Sequence, residues 1–319
     1  MSKHLIRGTD FKLPGQIARY SGKVRDVYDL GDKLIMVSTD RYSAFDRNLA
    51  LVPDKGQLLT EITKWWFDKT KSIVKNHLIS SPDPNVLVCK KYQVLPIEMI
   101  VRGYITGVTN TSLWHTYSNG KRDYGEFSLP DDLRKNQKLP EPVVTPTTKF
   151  EEHDRNLTPA QAIKEELIDE KTFNQAKEIA LNLFKFGQKT ADRKGLILVD
   201  TKYEFGLDKE GELVLIDEIH TPDSSRYWLE ETYEDKISRG EEPDNYDKEY
   251  LRLWFKKKFD PYKDTEVPEP PTKIINELSR RYKFVYESLS SEGFTHRKSG
   301  NNVSQIEENL LKYLAENNG

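Results

Sequence analysis

The chain has 319 residues, 36% of them hydrophobic and 32% charged, with a formal net charge of −3. That composition fits a globular protein of two domains, or one large domain with insertions, and its charge balance argues against a nucleic-acid or anionic-membrane surface. The single cysteine, Cys89, excludes an internal disulfide and a CxxC site; no apolar run approaches a membrane span, and Met1–His4 leads into no secretory segment, so a reducing cytoplasm is the expected location.

The first fifty-five residues read as antiparallel β. Segments 22–30 and 33–38 flank Gly31-Asp32, a natural tight turn. Ser21-Gly22-Lys23 could cradle a phosphate, because glycine allows close backbone approach and lysine brings a mobile charge; a plain hairpin is the competing reading. The loop Thr39–Arg47 crowds acids, arginines and a serine after a strand, as a site or as an ordinary surface turn. Residues 57–74 are spaced for one amphipathic helix, with Trp65 and Trp66 in its core. Residues 85–94 read as a strand, followed by 96–104, where Glu98 and Arg102 are charges embedded in apolar sequence. Buried charges need partners, so these two pair with each other or meet a polar ligand.

Residues 119–142 are polar and proline-containing, a surface loop, and 143–149 a strand running into His153-Asp154. Thr158-Pro159-Ala160-Gln161 has the form of a capping box with proline at the first helical position. A second helix around 176–184 stops at Lys194-Gly195.

The central stretch is 196–226. Two apolar runs, 196–199 and 213–216, flank Asp208-Lys209-Glu210-Gly211, a hairpin turn. Alternation puts Asp200, Lys202 and Glu204 on one face. A turn centred on Lys209–Glu210 predicts Lys202 opposite Asp217, with Glu204 the diagonal neighbour of Asp217 at roughly 7–8 Å. Three carboxylates converging around a lysine suit Mg²⁺, which binds through one or two carboxylates plus substrate phosphates. The competing reading is a salt-bridged, solvated sheet face. Thr221–Arg226 adds hydrogen-bonding groups and an anion-binding arginine.

Beyond Arg226 the sequence turns polar. Helices are expected over 247–259 and 273–289, with a proline-rich connector over 261–272 and a linker over 291–302. Ser304-Gln305-Ile306-Glu307 has capping-box form, and Ile306, Leu310, Leu311 and Leu314 make a short stripe expected to dock on the chain's own core. The histidines show no metal-ligand spacing.

A glycine–lysine loop, an acid cluster, isolated arginines, and Lys149 and Lys202 close to acids are the parts that phosphoryl transfer needs. The residues alone point to a Mg²⁺-dependent, ATP-using enzyme with a small anionic substrate. A kinase-like phosphotransferase and a non-catalytic nucleotide-binding regulator are the alternatives.

Four segments carry a resemblance: SGKVRDVY (21–28), IEMIVRGYITG (97–107), VDTKYEFG (199–206) and DEIHTPDSSR (217–226). In this order they resemble the SAICAR synthetase family over about residues 15–290. The resemblance implies an ATP-grasp-like fold, α+β or α/β: a β-rich N-terminal lobe (1–110) over a larger α/β lobe (111–290), ATP held between them, then a linker and C-terminal helix (291–319). It implies a ligase of purine biosynthesis that joins L-aspartate to a carboxyaminoimidazole ribonucleotide through an acyl phosphate. Its partners would be these small molecules rather than nucleic acid or membrane, and it would act as a monomer or small homo-oligomer.

The resemblance also implies roles. Lys202, Asp200, Lys149 and Asp154 would be catalytic. Ser21, Gly22, Lys23, Arg25, Gln93, Glu98 and Lys149 would bind ATP. Asp40, Arg41, Ser43, Ala44, Asp46, Arg102, Ser112, Ser224, Ser225 and Arg226 would bind the ribotide. Glu204 and Asp217 would hold Mg²⁺. The chain departs from the family pattern twice: residues 108–111 are an apparent insertion before Ser112, and Asp54 stands where relatives carry glycine before Lys55-Gly56.

Overall fold

Residues 5–151, 153–297 and 302–317 are described by a computed structural model. Its strands are β1 (Ala18–Ser21), β2 (Arg25–Asp29), β3 (Lys33–Ser38), β4 (Arg41–Ala44), β5 (Arg47–Leu51), β6 (Leu78–Asp83), β7 (Val86–Lys90), β8 (Gln93–Ile105), β9 (Gln137–Thr148), β10 (Leu196–Leu207), β11 (Leu213–Ile216) and β12 (Ser225–Leu229). The helices are α1 (Lys55–Lys69), α2 (Leu113–Ser118), α3 (Pro159–Lys164), α4 (Glu170–Asp192), α5 (Glu230–Ser238), α6 (Glu249–Lys256), α7 (Thr272–Ser290) and α8 (Asn302–Asn317). The named strands pair antiparallel, so the class is α+β rather than α/β.

Two units emerge, and they are not the contiguous 1–110, 111–290 and 291–319 expected. The first takes 1–68, 77–91 and 246–319, and the second takes 69–76 and 92–245. The physical reason is long-range burial. Ile306, Leu310 and Leu314 of α8 are packed with Ile6, Phe11, Tyr28, Ile35, Val37, Val86 and Val88 of the first sheet. That sheet has the order β1-β2-β3-β7-β6. The tail therefore docks on its own core, as its stripe requires. Helix α8 starts at Asn302, so Ser304 lies inside its first turn rather than ahead of it. Of the linker expected over 291–302, residues 298–301 lie outside the described residues, as does Met1–His4. A second cluster in this unit joins Tyr42, Phe45, Leu58 and Leu59 to Leu251, Phe255, Leu278 and Tyr282.

The second unit is built on the sheet β11-β10-β8-β9, with β12 also paired to β10. The strand expected over 85–94 is broken at Lys91-Tyr92: its first part is β7 in the first unit's sheet, while Gln93 and Val94 already belong to β8, which runs on through the 96–104 segment in the second unit's sheet. Strand β12 was unanticipated, because it directly follows a turn-rich segment. Strand β9 begins at Gln137, inside the expected loop, and α1 stops at Lys69, short of 74. The capping box on α3 is formed, with Thr158 and Gln161 bonded reciprocally. Helix α4 backs the sheet, with Phe184 next to Gly103 and Gly187 next to Leu198 and His220.

Candidate active site

In the second unit, β10 places Asp200, Lys202 and Glu204 two residues apart, hence on one face. Residues directly opposite share a face, and β8 sets Arg102 against Asp200 and Glu98 against Glu204. Strand β9 sets Thr147 against Glu98, and β12 sets Arg226 against Asp200. Four adjoining strands thus contribute to one polar face at the sheet's centre.

The charges on it are mutually satisfied. The Lys202 amine donates to Glu98 Oε1 at 2.8 Å and also to Glu204. Lys149 pairs with the other Glu204 oxygen and lies 3.9 Å from Glu98. Thr147 donates to Glu98 at 3.3 Å. Burial alone would raise the Glu204 pKa, but Lys202 and Lys149 outweigh it and hold the carboxyl below its ordinary value. Glu98 goes the other way: burial, reinforced by the Glu204 charge, raises it against the pull of Lys202. The Lys202 pKa is raised despite burial, because Glu204, Glu98 and Asp217 surround the amine.

A second group lies further along. Arg226 is paired with Asp200. Arg102 donates to Thr145 Oγ1 at 2.7 Å and to the Thr111 carbonyl at 3.2 Å. Burial, with Arg226 nearby, lowers Arg102 to about 10 against the pull of Asp200. Glu98 and Arg102 therefore find separate partners rather than each other. Ser112 caps α2 and donates to the Thr109 carbonyl at 2.7 Å, so the 108–111 segment ends on a bonded serine. At Gly107, φ +103°, a Cβ would stand 2.4 Å from Ser112 Cβ and 3.0 Å from Arg226 Nη2. Only glycine lets Ser112 and Arg226 approach there. Gly107→Ala is expected to cost about 2 kcal/mol of stability and to raise the KM for the anionic substrate, checked by thermal melts and initial rates.

The hairpin register corrects the expectation for Asp217. The connection spans residues 208–212, braced by the Asp208 carboxylate on the amides of Glu210 and Glu212, so its centre is residue 210. Glu204 consequently opposes Ile216, one residue out of the predicted register. Strand β11 ends at Ile216, and Asp217 turns away at φ +67°. Its charge still reaches Lys202. Glu218 points elsewhere, accepting from Thr221 Oγ1 at 2.8 Å. Among the described residues no group of three or more His, Cys, Asp or Glu side chains is arranged around a metal position. The three-carboxylate cluster is thus replaced by two lysines and two glutamates. Glu204 and Asp217 are of the donor type that Mg²⁺ takes, one or two carboxylates with water and phosphate oxygens completing the shell, and here both Glu204 oxygens are engaged by Lys149 and Lys202.

Ser224 meets Thr221 Oγ1 at 3.2 Å, and Ser225 donates to Thr201 Oγ1 at 2.7 Å. Gln93 is exposed at the start of β8, and Asp154 is exposed on the loop after β9. Thr145 and Thr147 were missed as partners of Arg102 and Glu98. Their alternation with Lys149 was the signal that could have placed them on this face.

In the first unit, residues 22–24 join β1 to β2, and Ser21 donates to Asp26 at 2.9 Å. Lys23 pairs with Asp46. The 39–47 segment is no surface turn: Asp40, Arg41, Ser43 and Ala44 are buried, as is Arg25. Arg41 donates to the carbonyls of Arg7, Gly22 and Lys23 and to both oxygens of Asp26, which commits its donors within the protein rather than to a substrate. It clasps the glycine–lysine loop in place. Asp40 accepts from the amides of Ile6 and Gly56 at 2.8 and 3.0 Å, and burial pushes its pKa up to about 6 against those bonds.

Acids bracketed by lysines on a sheet face, with arginines beside them, define an enzyme site for anionic substrates. The comparisons make this specific. The family model described as SAICAR synthetase matches residues 18–268. A phosphoribosylaminoimidazole-succinocarboxamide synthase from Legionella pneumophila (strain Paris) is 52% identical over 297 residues, 93% of this chain and 95% of that one. The SAICAR synthase of Saccharomyces cerevisiae complexed with SAICAR aligns at TM-score 0.77 and 34% identity, over 91% of this chain and all of that one. A SAICAR synthetase (Type-2) in complex with ADP aligns at TM-score 0.67 and 28% identity, over 88% of this chain and all of that one. The chain belongs to the SAICAR synthetase family. None of the helices among the described residues is long and apolar enough to cross a membrane.

Proposed function

We propose that the chain acts through an acyl phosphate. It is an ATP-dependent ligase of purine biosynthesis that joins L-aspartate to 5-amino-1-(5-phosphoribosyl)imidazole-4-carboxylate, giving SAICAR, ADP and phosphate. In the proposed course, a carboxylate oxygen of the ribotide attacks the γ-phosphorus and ADP leaves. The aspartate amine then attacks the acyl carbon. The C–N bond forms, the C–O bond to phosphate breaks, and phosphate departs with one oxygen of the original carboxylate.

The observation that carries this is the face on which Lys149 and Lys202 flank Glu98 and Glu204. Phosphoryl transfer demands fixed cations and positioning rather than a protein nucleophile. Lys149 and Lys202 would neutralise charge on the moving phosphoryl group. Arg102 and Arg226, the latter oriented by Asp200, would hold the ribotide's phosphate and carboxylate. Ser112 and Ser224 would donate to it, whereas Ser225, opposite Thr201 on the other face of the sheet and bonded to it, would not. Glu98 and Gln93 would lie along the nucleotide, and Asp154 near the reacting groups. Glu204 and Asp217 would hold a Mg²⁺ ion, which supplies Lewis-acid stabilisation of phosphate oxygens. From the first unit, Ser21, Gly22, Lys23 and Arg25 would serve ATP phosphates, and Asp40, Ser43, Ala44 and Asp46 the ribotide, with Arg41 supporting them. The ATP-grasp-like description of the fold and the cytoplasmic location belong to this reading.

Phosphate release tests it against a kinase-like reading. Release is expected only when ATP, ribotide and aspartate are all present. Steady phosphoryl transfer without aspartate would favour the kinase.

A further inference from the structure

We propose that His220 is a positioning residue for the ligase reaction: wedged between Tyr203 and helix α4, it holds the 217–225 turn in the shape that presents Asp217 and Ser224 to the polar face. This rests on the reading of that turn given above. His220 is fully buried, and its Nε2 is hydrogen-bonded to the Tyr203 hydroxyl. The two rings meet edge to face, 5.5 Å between centroids. The His220 carbonyl accepts from the Tyr227 hydroxyl at 2.7 Å, so side chain and backbone are both anchored. Helix α4 closes the third side. A Cβ on Gly187 would stand 2.5 Å from His220 Cε1 and 2.7 Å from Leu198 Cδ2, so the helix reaches the imidazole only because residue 187 has no side chain.

The turn needs such an anchor. Asp217 and His220 both hold left-handed backbone, at φ +67° and +51°. That conformation is disfavoured for a non-glycine residue and persists where the surroundings over-determine it. Ahead of His220 the chain delivers Asp217 toward Lys202. Behind it, the Ser225 amide donates to the Thr221 carbonyl at 2.9 Å, and the amides of Asp223 and Ser224 donate to Thr221 Oγ1. A shift of the imidazole would move both limbs. Burial also lowers the His220 pKa to about 3, so the ring is neutral at working pH and is not a proton shuttle.

The test uses Tyr203→Phe, which removes only the hydroxyl; Gly187→Ala, which pushes a methyl at the ring from outside the turn; His220→Phe; and His220→Gln, which keeps a hydrogen-bonding end. Asp217→Asn is the reference. Readouts are kcat and KM per folded molecule, thermal midpoint, and ADP affinity with Mg²⁺ and with EDTA. Tyr203→Phe, Gly187→Ala and His220→Phe are expected to lower kcat by about tenfold or more, since misplacement of about 1 Å can cost 100-fold. They should weaken ADP binding more with Mg²⁺ than with EDTA, and His220→Gln should recover most of the loss. If Tyr203→Phe and Gly187→Ala keep kcat within twofold of wild type while Asp217→Asn is inactive, His220 is merely structural and the proposal fails. Full activity in Asp217→Asn would overturn the reading of the turn and the proposal with it.

Discussion

Lys202→Met is expected to abolish ligation and to destabilise the second unit by about 3 kcal/mol at neutral pH. The Lys202 amine lies between Glu98 and Glu204, whose side chains are only 9% and 8% exposed. Removing one partner from a buried charge cluster leaves the others uncompensated, at a cost of about 3–5 kcal/mol. The low end applies because Lys149 still pairs with Glu204 and lies 3.9 Å from Glu98. The sign of the pH dependence follows from Glu98. Its folded pKa is already raised, by burial and by Glu204, and losing Lys202 raises it further. A carboxyl raised in the folded state favours folding when protonated and loses that contribution as pH rises. The Lys202→Met penalty should therefore be smaller at pH 5 than at pH 8. Adding Glu98→Gln should restore part of the stability but none of the activity. Denaturant midpoints of single and double variants at both pH values check this; a double variant no more stable than the single would show that the cluster is not electrostatically coupled.

Asp217→Asn should lose about 100- to 1000-fold in kcat while staying within about 0.5 kcal/mol of wild-type stability. The two halves have separate causes. Asp217 sits at φ +67°, where asparagine is as well tolerated as aspartate, so the backbone has no reason to change. The residue is half-buried, and its charge acts on Lys202. Removing that charge takes away one of the two proposed Mg²⁺ carboxylates. Phosphate release alongside a thermal melt separates the effects, and normal turnover in the variant would contradict the assignment.

The polar face was legible in part. Two-residue periodicity placed Asp200, Lys202 and Glu204 together, and the burial cost of Glu98 and Arg102 demanded partners for each. Which partners they take depends on cross-strand register, and register turns on a single residue. The connection over 208–212 has its centre at residue 210 rather than between 209 and 210, which put Ile216 opposite Glu204. The apolar stripe of α8 showed that it docks, but not that it returns to the first sheet across more than 200 residues of sequence. Arg41 carried the same charge whether it faced substrate or clasped Asp26; only coordinates distinguish the two. The substrate's identity came from motif resemblance, since acids, lysines and arginines specify an anion without naming it.

The central claim is that this face activates a carboxylate by phosphorylation, and an isotope reports on it directly. The ribotide is labelled with ¹⁸O in both carboxylate oxygens and turned over with unlabelled ATP and aspartate, and the released phosphate is analysed by mass spectrometry. One ¹⁸O in each phosphate is the predicted result, because the oxygen that attacks phosphorus leaves with it. Phosphate carrying no label, formed at the same rate as SAICAR, would contradict the account.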